Sequence, residues 1–252
     1  MINTVKERAN LYEYLTKKDV ITKLKPLLNK GYKIRHDGRF TSSPKDAAIQ
    51  WNTPWVHQYQ TANNHCYKWH TIFFNNWGMT PTRCKDCWKV VVMPRTLVEL
   101  FDLYELQKEL ERPSKCGVEL RATDERKYGG YFYNRGYDQG SECFDVVSAA
   151  VAEKISPDVR VILKCACTEF ELKNGPVQEY EASESQIEVE NLLDEYLLMN
   201  DIKWSQPDFL TAYVMISWIH RAILIGDLTY KEFTNGESLV KPLKTYKETE
   251  NG

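Results

Sequence analysis

Residues 87 to 168 limit the folding choices of this chain more than any other stretch, because their apolar spacing switches between strand and helix periods in a fixed order. Trp88 to Met93 is a β-branched run. Thr96 with Glu99 three positions on is a capping box, opening a helix along Leu97, Leu100, Phe101 and Tyr104 that Arg112 and Pro113 stop. Cys116, Val118, Leu120 and Ala122 alternate with Gly117, Glu119 and Arg121, the period of a half-buried strand, and Gly129 to Tyr133 makes its hairpin partner. A helix from about Ser141 to Ile155 carries Phe144, Val147 and Val151 on one side, and Val159, Val161, Leu163, Cys165 and Cys167 alternate along a last strand. The order β-α-β-β-α-β predicts an α+β protein with a ferredoxin-like core.

Outside this core the signals thin. Two short helices fit residues 1 to 30, broken at Lys17-Lys18-Asp19 and closed at Gly31, and residues 32 to 83 read as an irregular segment rich in Trp and Tyr. An acidic stretch, a helix from Ser185 to Asn200 and an apolar helix from Pro207 to Ile225, capped by Gly226, precede a polar and loose end. The expected regions are thus 1–83, helical and irregular; 84–172, the ferredoxin-like core; and 173–252, an acidic linker with C-terminal helices.

Composition excludes several classes. With 252 residues, 42% of them hydrophobic and 27% charged, the chain can bury a sizeable core and is not of disordered type. A net charge of −2 gives no global field toward nucleic acid. Residues 1 to 35 carry nine Lys or Arg against three acids, and residues 169 to 201 carry ten acids against Lys173 alone; two solvated helix faces account for that asymmetry as well as a binding surface does. Lys6, Glu7 and Arg8 stand where a secretory signal would have its apolar run, and the most apolar helix contains His220 and Arg221, so a cytoplasmic location without membrane contact is expected. Seven cysteines in a reducing compartment are core thiols, metal ligands or redox groups rather than disulfides.

Cys84 and Cys87 have the two-residue spacing at which a turn aims two thiolates at one tetrahedral zinc, and Cys66 with His70 completes a four-ligand set. Cys165 and Cys167 are substitutes for the second pair. An iron–sulfur cluster is the alternative, less favoured because no ferredoxin spacing is present. A redox pair is disfavoured, since this Cys-x-x-Cys precedes a strand rather than opening a helix. Against all of these, Cys116, Cys165 and Cys167 share the phase of Val118, Leu120, Val161 and Leu163, and core packing accounts for them.

If the alternating apolar set faces the two helices, the opposite face presents Lys89, Arg121, Arg160 and Lys164, with Tyr131 and Tyr133 beside them. Cations among aromatic rings suit single-stranded nucleic acid, whose bases stack while its phosphates meet Lys or Arg. Lys127 to Asn134 resembles in part the aromatic motif of RNA-recognition modules: Lys127, Gly130 and Tyr131 agree with it, whereas Tyr128, Gly129 and Asn134 depart. A solvated or covered polar face is the plain alternative.

The first expectation is therefore a zinc-stabilised protein binding single-stranded nucleic acid through an open sheet face. The second is a metalloenzyme or iron–sulfur protein in which His57 or His65 moves protons. The third is a module that meets a protein partner through the acids between Glu179 and Glu195. No P-loop, G-x-G-x-x-G, H-E-x-x-H, G-x-S-x-G or zinc-deaminase signature occurs.

Overall fold

A computed structural model describes residues 5–41, 53–59, 64–122, 124–199, 206–241 and 243–247. Helix α1 (Val5–Leu24) runs unbroken through Lys17-Lys18-Asp19 into a 3-10 turn, Lys25–Lys30. Strands β1 (Lys33–Ile34), β2 (Phe40–Thr41) and β3 (Trp55–Gln58) follow. The segment read as irregular then becomes continuously helical, as α2 (Asn64–Cys66), a π-helical stretch (Tyr67–Phe74) and α3 (Asn75–Trp77). Beyond it lie β4 (Cys87–Met93), α4 (Leu97–Leu110), β5 (Ser114–Val118), β6 (Tyr128–Arg135), α5 (Tyr137–Lys154) and β7 (Arg160–Cys165). The chain closes with α6 (Thr168–Asn174), α7 (Glu184–Tyr196), β8 (Leu197–Leu198), α8 (Asp208–Leu224) and a 3-10 turn, Leu228–Phe233.

The protein is a mixed α+β structure with two sheets. The larger has the order β3-β5-β6-β4-β7, every neighbouring pair antiparallel; the smaller joins β1, β2 and β8. Thr96 caps α4 as expected, its hydroxyl accepting from the Glu99 amide at 3.2 Å.

Two apolar clusters hold the layers. In the first, Val90 and Val92 of β4, Cys116 and Val118 of β5 and Tyr128 and Phe132 of β6 pack against Leu100 and Leu103 of α4, Val147 and Val151 of α5 and Trp218 of α8. The second gathers Val20 and Leu24 of α1, Trp69, Ile72 and Phe73 of the π-helical stretch, Phe170 of α6 and Val189 and Leu193 of α7, and reaches the sheet at Cys165 and Ala166. Both clusters draw on residues before 84, between 84 and 172, and after 172. The C-terminal turn is anchored too, with Tyr230 in the first cluster.

The basic and acidic segments meet internally. Helix α1 packs against α7, Lys68 pairs with Asp194 at 2.6 Å and Arg83 meets the same carboxylate at 3.3 Å. No helix among the described residues is long and apolar enough to cross a membrane.

Candidate functional site

Alternation along the strands decides what the second sheet face presents. Since Val90, Phe132, Cys116 and Val56 point into the first cluster, their neighbours Lys89, Val91, Tyr131, Tyr133, Lys115 and Trp55 point the other way. This face is not fully open. Residues 66–71 of the helical stretch and the start of α6 cover it in part, leaving a half-open cavity of about 460 Å³. That volume is of small-molecule size.

The roof has its own logic. Trp69, Ile72 and Phe73 face the second cluster, leaving Cys66, Tyr67, His70 and Thr71 on the cavity wall. Stretches of π-helix are rare and recur at functional sites. At the end of β7, Ala166 adopts φ 49°, in the left-handed region that a residue with a Cβ seldom enters. This turn ends the strand alternation, so Cys165 stays in the second cluster while Cys167, Thr168 and Glu169 reach the cavity.

Three ligating atoms converge here. One nitrogen of His70, the Cys167 sulfur and one Glu169 oxygen lie within 4.8 Å of one another. His70 Nε2 stands 3.8 Å from Glu169 Oε2, and the other Glu169 oxygen accepts from Arg121 Nη1 at 3.2 Å, which fixes the carboxylate's orientation. Burial lowers the His70 pKa, only partly opposed by Glu169, so the ring favours its neutral, metal-binding form. Lys89 Nζ lies 3.3 Å from Cys167 Sγ. Burial works against the Lys89 charge, but Cys167, Tyr133 and Cys87 beside it raise its pKa. Ligand atoms around tetrahedral zinc stand roughly 3.3–3.8 Å apart; His70 and Glu169 are already at that separation, and Cys167 needs only a small adjustment.

Of the four expected metal ligands, His70 stands with Cys167 and Glu169, on the cavity wall that also carries Cys66. Cys84 is buried in the second cluster, its sulfur 3.8 Å from His65 Nε2, and Cys87 begins β4 opposite Arg135. Charge on Cys167 raises the pKa of Cys66, Cys84 and Cys87, which stand near it. Burial is the larger effect and pushes Cys66 up to about 11 and Cys84 higher still. Cys116 and Cys143 pack in the first cluster, and Cys165 accepts from Gln178 Nε2 at 3.0 Å.

Of the six residues expected on the face, five line the cavity: Lys89, Arg121, Tyr131, Tyr133 and Lys164. Arg160 lies exposed at the far end of β7, opposite Met93. Arg121 is engaged by Glu119 at 2.6 Å, Asp124 at 3.2 Å and Glu169, and Lys164 pairs with Glu171. His65 is half-buried, with a pKa lowered to about 4 chiefly by desolvation, and His57 pairs across the sheet with Lys115.

Lys115 and Glu169 line the site without having been singled out from the sequence, and Trp55, whose sequence context reads as core packing, joins them. Lys115 shares the phase of Gly117, Glu119 and Arg121, and extending the alternation one residue upstream of Cys116 reveals it. Trp55 and Glu169 carry no such signal. No protein-family model, curated protein or solved structure matches the chain.

Proposed function

We propose that this protein is a zinc-dependent enzyme acting on a small molecule bound between the sheet and its helical roof. The observation that carries this reading is the meeting of His70, Cys167 and Glu169 ligand atoms on a cavity wall. Three protein ligands from two segments leave the fourth tetrahedral position to water or substrate, the arrangement of catalytic rather than structural zinc. The metal would lower the pKa of bound water toward about 7 and polarise a substrate oxygen. Arg121 orients Glu169, and Lys89 stabilises the Cys167 thiolate.

Metal analysis of protein purified without added metal tests the reading. About one zinc per chain is expected, lost in His70→Ala and Cys167→Ser and kept in Cys84→Ser with Cys87→Ser. Loss in the Cys84/Cys87 variant alone moves the site to those thiols, iron with visible absorbance indicates a cluster, and absence of metal removes the proposal.

Single-stranded nucleic acid is the second reading, favoured by Tyr131 and Tyr133 sharing the cavity with Lys89, Arg121 and Lys164. The space then takes one nucleotide of a strand rather than a stacked tract. Oligonucleotide affinity that Lys164→Glu leaves unchanged, at low and high salt, eliminates that reading. No observation favours the protein-interaction module, since Glu190 and Asp194 of its acidic stretch are held by internal partners.

For the fold we propose a ferredoxin-like core, β4-α4-β5-β6-α5-β7, widened by β3. Its support is that β7 borders β4 while β5 lies two strands from β4. Seven unpaired cysteines are in keeping with the proposed cytoplasmic location.

A further inference from the structure

The cavity's cations are not equally matched by anions. Arg121 and Lys164 have carboxylate partners, and Lys89 has the Cys167 sulfur and, at 6.0 Å, the Tyr133 ring. Among the described residues Lys115 has no carboxylate partner. Its ammonium lies over two aromatic rings, Trp55 with the centroid at 4.4 Å and Tyr131 at 5.3 Å, and the Cys66 and Cys167 thiols also face it. Both rings line the same cavity, and Lys115 lies opposite Tyr131 in the β5–β6 register.

An ammonium in a half-buried, ring-lined position without a counter-ion is costly, and an apolar side chain of similar length would pack there at less expense. Sites that break such a rule are where function is expected. Bound zinc would not supply the missing charge: its two positive charges are cancelled by the Cys167 thiolate and the Glu169 carboxylate, leaving Lys89 and Lys115 uncompensated.

We propose that the cavity binds a small organic anion, its carboxylate or phosphate head held by Lys115 with Lys89, its body lying against Trp55, Val91 and Tyr131. This names the substrate class of the enzyme proposed above and rests on that reading for its chemistry. The anion's binding, however, depends on lysines outside the metal triad. The two ideas can therefore fail separately.

The test is titration calorimetry and thermal unfolding of the full chain, as isolated and after chelation, with benzoate, inorganic phosphate and neutral benzamide at constant ionic strength. Benzoate or phosphate is expected to bind and raise the unfolding midpoint, and benzamide to do neither. Lys115→Met should weaken anion binding at least tenfold while folding normally, and Lys115→Arg should retain most of it. Response to benzoate alone assigns a carboxylate ligand, and response to phosphate alone a phosphorylated one. His70→Ala should lose zinc and keep anion binding, whereas zinc retention without anion binding sinks this inference and spares the metal reading. Anions no better than benzamide, or Lys115→Met binding like the unaltered chain, overturn it.

Discussion

Lys115 also makes a prediction about stability. Burial, with the charge of Lys89 adding to it, lowers its pKa from 10.5 to about 8. The groups facing it are Lys89 on β4, Cys66 on the roof, Cys167 after β7, Arg121 beyond β5, and the Trp55 and Tyr131 rings. Between about 8 and 10.5 the unfolded chain binds this proton and the folded chain does not. Stability contributed by this group therefore rises with pH across that window and is lost as pH falls through about 8. Lys115→Met should flatten the slope in urea unfolding at pH 7 to 10 and raise the midpoint temperature by a few degrees, at roughly 2–4 °C per kcal/mol for a chain of this size. An unchanged pH slope would show that the ammonium is solvated. The cysteines behave oppositely to reactive thiols, since burial raises Cys66, Cys84 and Cys87.

At the scale of elements, β3 is the most exacting placement. Its approach to β5 brings the Pro54 carbonyl to the point where a Cβ on Gly117 would lie only 2.0 Å away. The same oxygen accepts from the Val118 amide at 3.3 Å and from Trp218 Nε1 at 2.8 Å. Gly117→Ala should displace β3, cost about 1–3 kcal/mol in chemical denaturation, and weaken ligand binding by moving Trp55 from the cavity wall. Wild-type affinity in that variant would mean Trp55 contributes nothing. The elements from β4 to β7 were legible in the sequence because alternation and capping agree there: Thr96 and Glu99 mark the start of α4, and Val90 and Val92 mark the buried phase of β4. Strand β3 was not, since four residues next to a Pro give too short an alternation. Nor was the helix at 64–77, whose π-helical winding departs from the 3.6 period by which helices are read. Cys167 was misplaced by running alternation past the left-handed turn at Ala166.

Across the whole molecule, the C-terminal end is tied to the core by a buried carboxylate as well as by the packing of Tyr230. Asp227, 7% exposed, accepts from the Leu97 amide at the start of α4 and from the Tyr128 hydroxyl of β6, each at 2.7 Å, and from the Thr229 amide and hydroxyl. Burial opposes its charge, but the bonds from Thr229, Tyr128 and Leu97 outweigh it and hold the pKa below 3.8. The stabilisation is complete above the unfolded-state pKa and is lost as pH falls through the lower folded value. Asp227→Ala should cost about 2–4 kcal/mol and reduce the acid sensitivity of unfolding followed by circular dichroism; a loss under about 0.5 kcal/mol, typical of surface sites, would leave the tie without energetic weight. The mixed α+β character was readable in advance, whereas the roof was not, because helical cover over a polar face leaves no periodicity in either partner. That roof has a kinetic meaning. The cavity draws its wall from residues 54–55, 66–71, 89–91, 115–121, 131–133 and 164–169, pieces far apart in the chain. Closing a surface built from such distant segments requires long loops to be ordered first. A molecule bound there should leave the refolding rate almost untouched and act as a brake on unfolding.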